Sequence, residues 1–235
     1  MPTATVENYL KAIFQLDVEG RGVSTRELAE RLEVRDASVT HMLKRLSGTQ
    51  WVSYEPYRGA TLTAEGRRAA TAVLRRHRIL ELFLHRMCEL SLDKVHPEAE
   101  RLEHASSEQF IDALDRLMGF PTLDPHGDPI PDREGRLGVV DSRPLSDLQA
   151  GQQADVSRVE DARPEALTYL VGEGLVPGRR IRVLRRLDFD GSVEVELGRR
   201  RLVLSRELAA GIRVRGILEP HESDPQGPLM NRPES

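Results

Sequence analysis

Apolar residues recur at helical spacing from the start of the chain. Val6, Tyr9, Leu10, Ile13, Phe14 and Leu16 fall on one face and predict a first amphipathic helix, which Gly20 and Gly22 close. Ser24 then precedes TRELAERL with Glu27 three residues on, a capping box in which a hydroxyl and a carboxylate take up free amides at a helix start. The second helix runs to about Leu32. After a short break around Glu33 to Asp36, ASVTHMLKRL carries Val39, Met42, Leu43 and Leu46 on one face, predicting a third helix. Two short helices joined by so tight a turn make a helix-turn-helix. In WVSYEPYRGATLT, Val52, Tyr54, Ala60 and Leu62 fit two short strands around Pro56, Arg58 and Gly59, a hairpin placed as a wing.

Thr63 can cap a long helix from Ala64 to Cys88, with Ala69, Val73, Leu74, Leu80, Leu82, Phe83 and Met87 as candidates for burial. Asp93 opens another helix to about His104. Ser106 and Gln109 frame a capping box before FIDALDRLM, which Gly119 and Pro121 stop. From Pro121 to Gly138 the chain is rich in Pro, Gly and Asp, and reads as a linker. Beyond it the pattern turns to short β-like runs: ADVSRV, RRIRVLRRL, SVEVEL, RRLVLS and IRVRGI, with one helical stretch near Pro164 to Val171. Turns at Gly178, Asp190-Gly191, Gly198 and Gly211 separate these five strands, which suggests a small barrel. The expected class is α+β, divided into residues 1–63 (winged helix-turn-helix), 64–137 (helical region with linker), 138–220 (barrel) and a disordered tail at 221–235.

Charge sharpens this picture. The chain of 235 residues has a net charge of −4, but residues 1–80 hold 13 Lys and Arg against 9 Asp and Glu. A basic front on an acidic remainder fits a chain in which one module meets phosphates, although a chance excess on a solvated face has the same sign. No window approaches the apolar length of a membrane span, the first residues carry no export pattern, and the single Cys88 cannot form an internal disulfide. A cytoplasmic protein without a membrane partner is the expectation.

The third helix suits the major groove of double-stranded DNA. Its exposed set would be Arg35, Ala37, Ser38, Thr40, His41, Lys44 and Arg45. Arg35 could read guanine, Ala37 could touch a thymine methyl, and His41 could donate to a base. Arg58 on the wing is placed for a phosphate or the minor groove.

Between residues 77 and 104 lies a second chemistry. His77 and Glu81 stand at i and i+4, and Glu100, Glu103 and His104 at i, i+3 and i+4, with His96 one turn before Glu100. Imidazoles and carboxylates converging from facing helices are transition-metal donors, yet the same spacings also occur in solvated pairs, the class to which His85 is assigned. A winged-helix regulator with a small organic effector is therefore a second reading. A metallohydrolase is a third, without a nucleophile motif, a phosphate loop or an H-E-x-x-H signature to support it.

The helix-turn-helix and wing, followed by RRHRILELFLHRMCELSLDKVHPEAERLEH at 75–104, resemble the diphtheria toxin repressor and manganese transport regulator family over residues 5–118. GEGLVPGRRIRVLRR resembles the SH3-like domain that longer members share with FeoA-like iron-transport accessory proteins. The resemblance implies a homodimeric, metal-dependent repressor of metal-homeostasis genes that binds operator DNA and is not an enzyme. It implies one metal site from His77, Glu81 and His96, and another from Glu100, Glu103 and His104. Asn8 stands where relatives place a thioether or carboxylate ligand, and Lys11 where the manganese branch has a second carboxylate. Glu165 or Asp161 is the implied contribution of the SH3-like domain.

Glu100 occupies a position that is cysteine in iron-responsive relatives, so the resemblance favours Mn²⁺ as cofactor, with Fe²⁺ second. Dimerisation would use apolar surface around Phe110, Leu114, Leu117 and Phe120. The implied carboxylates should repel one another without metal and leave the DNA module mobile. A bound ion would tie Asn8 to the helix near residue 100 and set the two recognition helices for grooves about 34 Å apart.

Overall fold

The structure, a computed structural model, describes residues 2–17, 20–55, 58–159 and 164–219. The chain divides into two compact units, Met1–Val140 and Asp141–Ser235, and each is described by itself.

The first unit opens with α1 (Ala4–Leu16), whose first turn is closed by the Thr3 hydroxyl accepting from the Val6 amide. Ser24 and Glu27 form the expected reciprocal capping box of α2 (Thr25–Leu32). Glu33 then adopts a left-handed conformation, φ 54°, which ends α2 and lets α3 (Asp36–Ser47) start within a few residues. The wing follows as β1 (Val52–Glu55) and β2 (Gly59–Leu62), paired antiparallel with Val52 opposite Leu62. Leu10, Ile13, Leu28, Val39, Leu43, Val52 and Ala60 form the core of this module, so its predicted apolar faces converge.

Two glycines permit the close fit. A Cβ on Gly59, at φ 92°, would lie 2.6 Å from the Val23 carbonyl oxygen, and one on Gly66 would overlap the carbonyl oxygen of Trp51. Gly66 lies in the first turn of α4 (Ala64–Cys88), where its amide donates to the capping Thr63 hydroxyl. The wing is thereby pressed against the long helix.

Helices α5 (Leu92–Glu103) and α6 (Glu108–Leu117) pack on α4 around Ile79, Leu80, Leu82, Val95, Ala99 and Ile111. Three expectations are corrected in this region. The α6 cap is Ser107, whose hydroxyl accepts from the Phe110 amide, while the Ser106 hydroxyl turns back to the Leu102 carbonyl. Met87 is 55% exposed, because the last turn of α4 runs beyond the core. Leu114 is buried inside the unit, leaving Phe110, Leu117 and Phe120 as the exposed apolar residues.

The presumed linker is also corrected. Its first half is a folded strap fastened to α4 by two arginines of that helix. Arg75 donates to the Pro131 carbonyl and to Asp115, and Arg78 donates to the Pro129 carbonyl and to Asp128. Asp124 nucleates the strap's turn by accepting from the amides of His126 and Asp128.

The second unit holds a six-stranded antiparallel sheet where five strands were expected. Its strands are β3 (Arg143–Pro144), β4 (Gln153–Val159), β5 (Arg180–Arg186), β6 (Val193–Leu197), β7 (Arg200–Leu204) and β8 (Ile212–Leu218), in the order β3-β8-β4-β5-β6-β7. The extra strand, β3, has two residues and no periodicity to read. Register shifts between β4 and β8 and between β5 and β6 curl the sheet around Leu145, Val156, Ile181, Val195, Leu204 and Val214. Helix α7 (Pro164–Gly172) carries exposed Glu165, and a short α8 (Arg206–Gly211) precedes β8. Asp161 and the 221–235 tail lie outside the described residues.

Replacing Gly66 by Ala is expected to lower stability by about 1–3 kcal/mol, because the added methyl forces the wing away from α4. Urea unfolding measures this, and an unchanged midpoint would show that the contact is not tight.

Candidate metal centre

Helix α4 presents His77 and Glu81 one turn apart on its buried side, and α5 brings His96 to them. The Glu81 Oε1 lies 3.1 Å from His77 Nε2 and 3.0 Å from His96 Nδ1, and the two nitrogens are 3.0 Å apart. These three atoms form a nearly equilateral triangle. Edges of that length separate neighbouring donors around an ion with bonds of about 2.1 Å. The donor set is neutral imidazole and carboxylate, so the arrangement fits a divalent transition metal.

Electrostatics drives the triangle the same way. Burial alone would lower the His77 pKa, but the Glu81 charge and the hydrogen bond that the ring donates to Glu103 outweigh it and raise it to about 9. Burial would raise that of Glu81, yet the charge and hydrogen bond of His77, with help from His96 and His126, hold it below the usual carboxylate range. The triangle therefore holds one carboxylate charge balanced by a proton on His77.

The strap adds groups that the sequence reading missed. His126 Nε2 lies 3.9 Å from Glu81 Oε1, and burial keeps its pKa below the ordinary histidine value against the pull of Glu81 and Asp128. Asp124, pushed up to about 8 by burial and then by Asp128 and Glu81, stands beside Arg78. The signal was present as DPHGD, but turn chemistry explained the same residues.

The second set gathers where α1 meets α5. Glu103 has no solvent exposure. Its Oε2 accepts from His77 Nδ1 at 2.6 Å, and its Oε1 accepts from Lys11 Nζ at 2.7 Å and lies 3.3 Å from His104 Nε2. The His77 contact fixes which nitrogen faces the triangle, since Nδ1–H is committed to Glu103 and Nε2 is left toward Glu81. Burial would raise the Glu103 pKa, but His77 and then Lys11 hold it below the usual range.

His104 Nδ1 meets Glu7 Oε2 at 2.6 Å, and Glu7 is held in turn by Arg76 at 2.7 Å. Glu100 is half exposed, 3.7 Å from Lys11 Nζ and 3.6 Å from His96 Nε2, and so leans between the two sets. Asn8 follows Glu7 on α1, and its Oδ1 is buried without a hydrogen-bond partner. A buried amide oxygen without a hydrogen-bond partner is an acceptor that a cation would satisfy.

Two expectations change here. The carboxylates do not stand in mutual repulsion, because Lys11, Arg76 and the imidazoles already compensate them. His85, placed among solvated residues, is half buried with Nδ1 at 2.8 Å from the Leu90 carbonyl oxygen, tying down the end of α4.

On the winged module, Arg35, Ala37, Ser38, His41, Lys44 and Arg45 are all exposed at the start and along the outer side of α3. Thr40 is half buried, its hydroxyl donating to the Asp36 carbonyl. Arg58 is exposed at the wing tip and pairs loosely with Glu55 at 3.3 Å. Among the described residues, no helix is long and apolar enough to cross a membrane.

Three family models cover the chain. The N-terminal DNA binding domain of iron dependent repressors matches residues 1–60, their metal binding and dimerisation domain residues 63–132, and the FeoA domain residues 143–216. The diphtheria toxin repressor of Corynebacterium efficiens is 30% identical over 91% of this chain and 96% of its own length. The iron-dependent repressor IdeR of Mycobacterium tuberculosis is 30% identical over 91% of this chain and 97% of its own. A solved manganese-dependent transcriptional repressor, in complex with manganese, superposes with a TM-score of 0.81 at 37% identity, covering 89% of this chain and 98% of that one. With its fold, helix-borne histidines and carboxylates and all three domain matches in agreement, the chain belongs to the diphtheria toxin repressor and manganese transport regulator family, whose members are DNA-binding transcriptional repressors rather than enzymes.

Proposed function

We propose that this chain is a cytoplasmic homodimeric repressor that binds operator DNA when loaded with a divalent cation, Mn²⁺ first and Fe²⁺ second, and so controls genes of metal homeostasis. The triangle of His77 Nε2, Glu81 Oε1 and His96 Nδ1 carries the reading, because three donor atoms converge at 3.0–3.1 Å and bond chiefly to one another. His126, with Nε2 3.9 Å from Glu81 Oε1, is the nearest further donor.

The second set comprises Asn8, Glu100, Glu103 and His104. A bound ion would supply there the positive charge that lets an α1 amide oxygen and the α5 carboxylates share one centre. The protein's own part is positional. Glu7, braced by Arg76, keeps His104 Nδ1 occupied and its Nε2 turned toward Glu103, while Glu103 orients His77. Because α1 belongs to the winged module and α5 to the helical region, closing this site fixes how α3 is presented.

Neither donor set contains sulfur. Carboxylate, amide oxygen and imidazole favour Mn²⁺ over softer demands, though such donors also take Fe²⁺, Co²⁺ and Zn²⁺. Relatives described as iron-dependent and manganese-dependent support a metal effector over an organic one. Phe110, Leu117 and Phe120, exposed on and just after α6, supply the apolar face for a second copy.

Operator binding by fluorescence anisotropy, titrated with Mn²⁺, Fe²⁺, Co²⁺ and Zn²⁺ beside a chelator control, tests the function. Metal at 100 times its dissociation constant should favour the competent form by about 2.7 kcal/mol, roughly a hundredfold in affinity. Equal operator affinity in chelator would overturn the reading.

In the complex, Lys44→Ala is expected to weaken binding to all sequences and lower the salt slope by about one. Arg35→Ala is expected to relax base preference instead, and an unchanged preference would remove Arg35 from the reading surface.

Metal loading should also release a proton. With the His77 pKa raised from 6.5 to about 9, the free chain at pH 7 to 8 carries a proton on that ring which coordination at Nε2 must expel. Affinity should rise with pH up to about 9. In the metal-free chain the same shift contributes stability that is complete below pH 6.5 and is lost as pH rises through 9. Calorimetry in buffers of different ionisation enthalpy measures the released proton; a buffer-independent heat would contradict it.

A further inference from the structure

Lys11 is the one basic residue of α1. It is 6% exposed, and its ammonium sits 2.7 Å from Glu103 Oε1 and 3.7 Å from Glu100 Oε1. An ammonium held on one carboxylate with a second beside it occupies the place a metal ion would need. The same Glu103 oxygen is the one that lies 3.3 Å from His104 Nε2, so Lys11 and an ion in the second set compete for a single atom.

Resting on the proposed reading of Asn8, Glu100, Glu103 and His104 as a metal-holding set, we propose that Lys11 is a tethered cation that competes with the divalent ion for Glu103 and must be expelled before that set can load. The side chain has the means to leave. Its four-carbon stem is flexible and its ammonium is strongly hydrated, so it can turn into water still protonated. No proton moves and no bond other than the ion pair is broken.

Two consequences follow from the exchange. Each ion bound at this set replaces one positive charge with two, so the gain in attraction is smaller than at a site whose carboxylates face no cation. The threshold for loading is thereby raised. The ion pair also holds α1 against α5 before metal arrives, so loading exchanges one tether for another instead of recruiting a free helix.

The competition can be read without DNA. In a His96→Ala background, which removes one corner of the triangle, Mn²⁺ binding followed by electron paramagnetic resonance should report the second set. Adding Lys11→Met, or the milder Lys11→Gln, should tighten Mn²⁺ by about tenfold or more, the factor expected when a close, desolvated charge competitor is removed. Equal or weaker binding in both double variants overturns the proposal. If the His96→Ala parent itself takes up no Mn²⁺, the metal-holding reading of the second set has failed, and the competition falls with it.

A wild-type measurement covers the case in which the substituted chains do not fold. Saturating Mn²⁺ should increase modification of Lys11 by a water-soluble acylating reagent, read by peptide mass spectrometry, because a buried amine must enter solvent. Unchanged Lys11 reactivity at saturation overturns the proposal as well.

Discussion

The first unit turns on a carboxylate that water never reaches. Glu103 has no exposure, and an unpaired charge at such a position is costly, so its surroundings must supply positive partners. They come from separate elements, Lys11 from α1 and His77 from α4, while His104 Nε2 lies 3.3 Å away at the end of α5 itself. Removing one partner of a buried pair costs about 3–5 kcal/mol, which gives these contacts authority over how α1 lies against the helical region.

Glu103 also joins two side-chain clusters that could otherwise be independent. Its Oε2 sets the tautomer of His77 and so prepares the triangle, while its Oε1 belongs to the α1–α5 cluster. A change of partner on one oxygen is therefore felt at the other through a single rigid group. Glu7 serves a parallel role, linking His104 to Arg76 and through Arg76 to Glu108 on α6. For a repressor family whose DNA-binding and metal-binding functions reside in successive domains, this places the connection between them in a few named side chains.

Much of the fold was legible in the sequence because its signals are local. The Ser24 and Glu27 capping box, the wing alternation and the long apolar stripe of α4 each depend on residues within a few positions of one another. The i, i+4 spacing of His77 and Glu81 was equally readable, since one helix sets it. What escaped depends on distant partners. Lys11 and Glu103 are 92 residues apart, and nothing near Lys11 marks it as buried. The strap resembled a linker because Pro, Gly and Asp make turns wherever they stand, whereas Arg75 and Arg78, some fifty residues earlier, decide that these turns are fixed. Ser106 and Ser107 offer equivalent hydroxyls to a helix start, and the direction of the chain after α5 selects the second.

In this mechanism a divalent cation takes over from Lys11 as the tie between α1 and α5 and thereby sets the DNA-binding module. Hydrogen exchange on the wild-type chain, with and without saturating Mn²⁺, addresses it directly because it reads backbone protection helix by helix. Slower exchange is expected across Ala4–Leu16 and the last turn of α5 when the ion is present. Identical exchange in α1 under conditions where Mn²⁺ is demonstrably bound would contradict it.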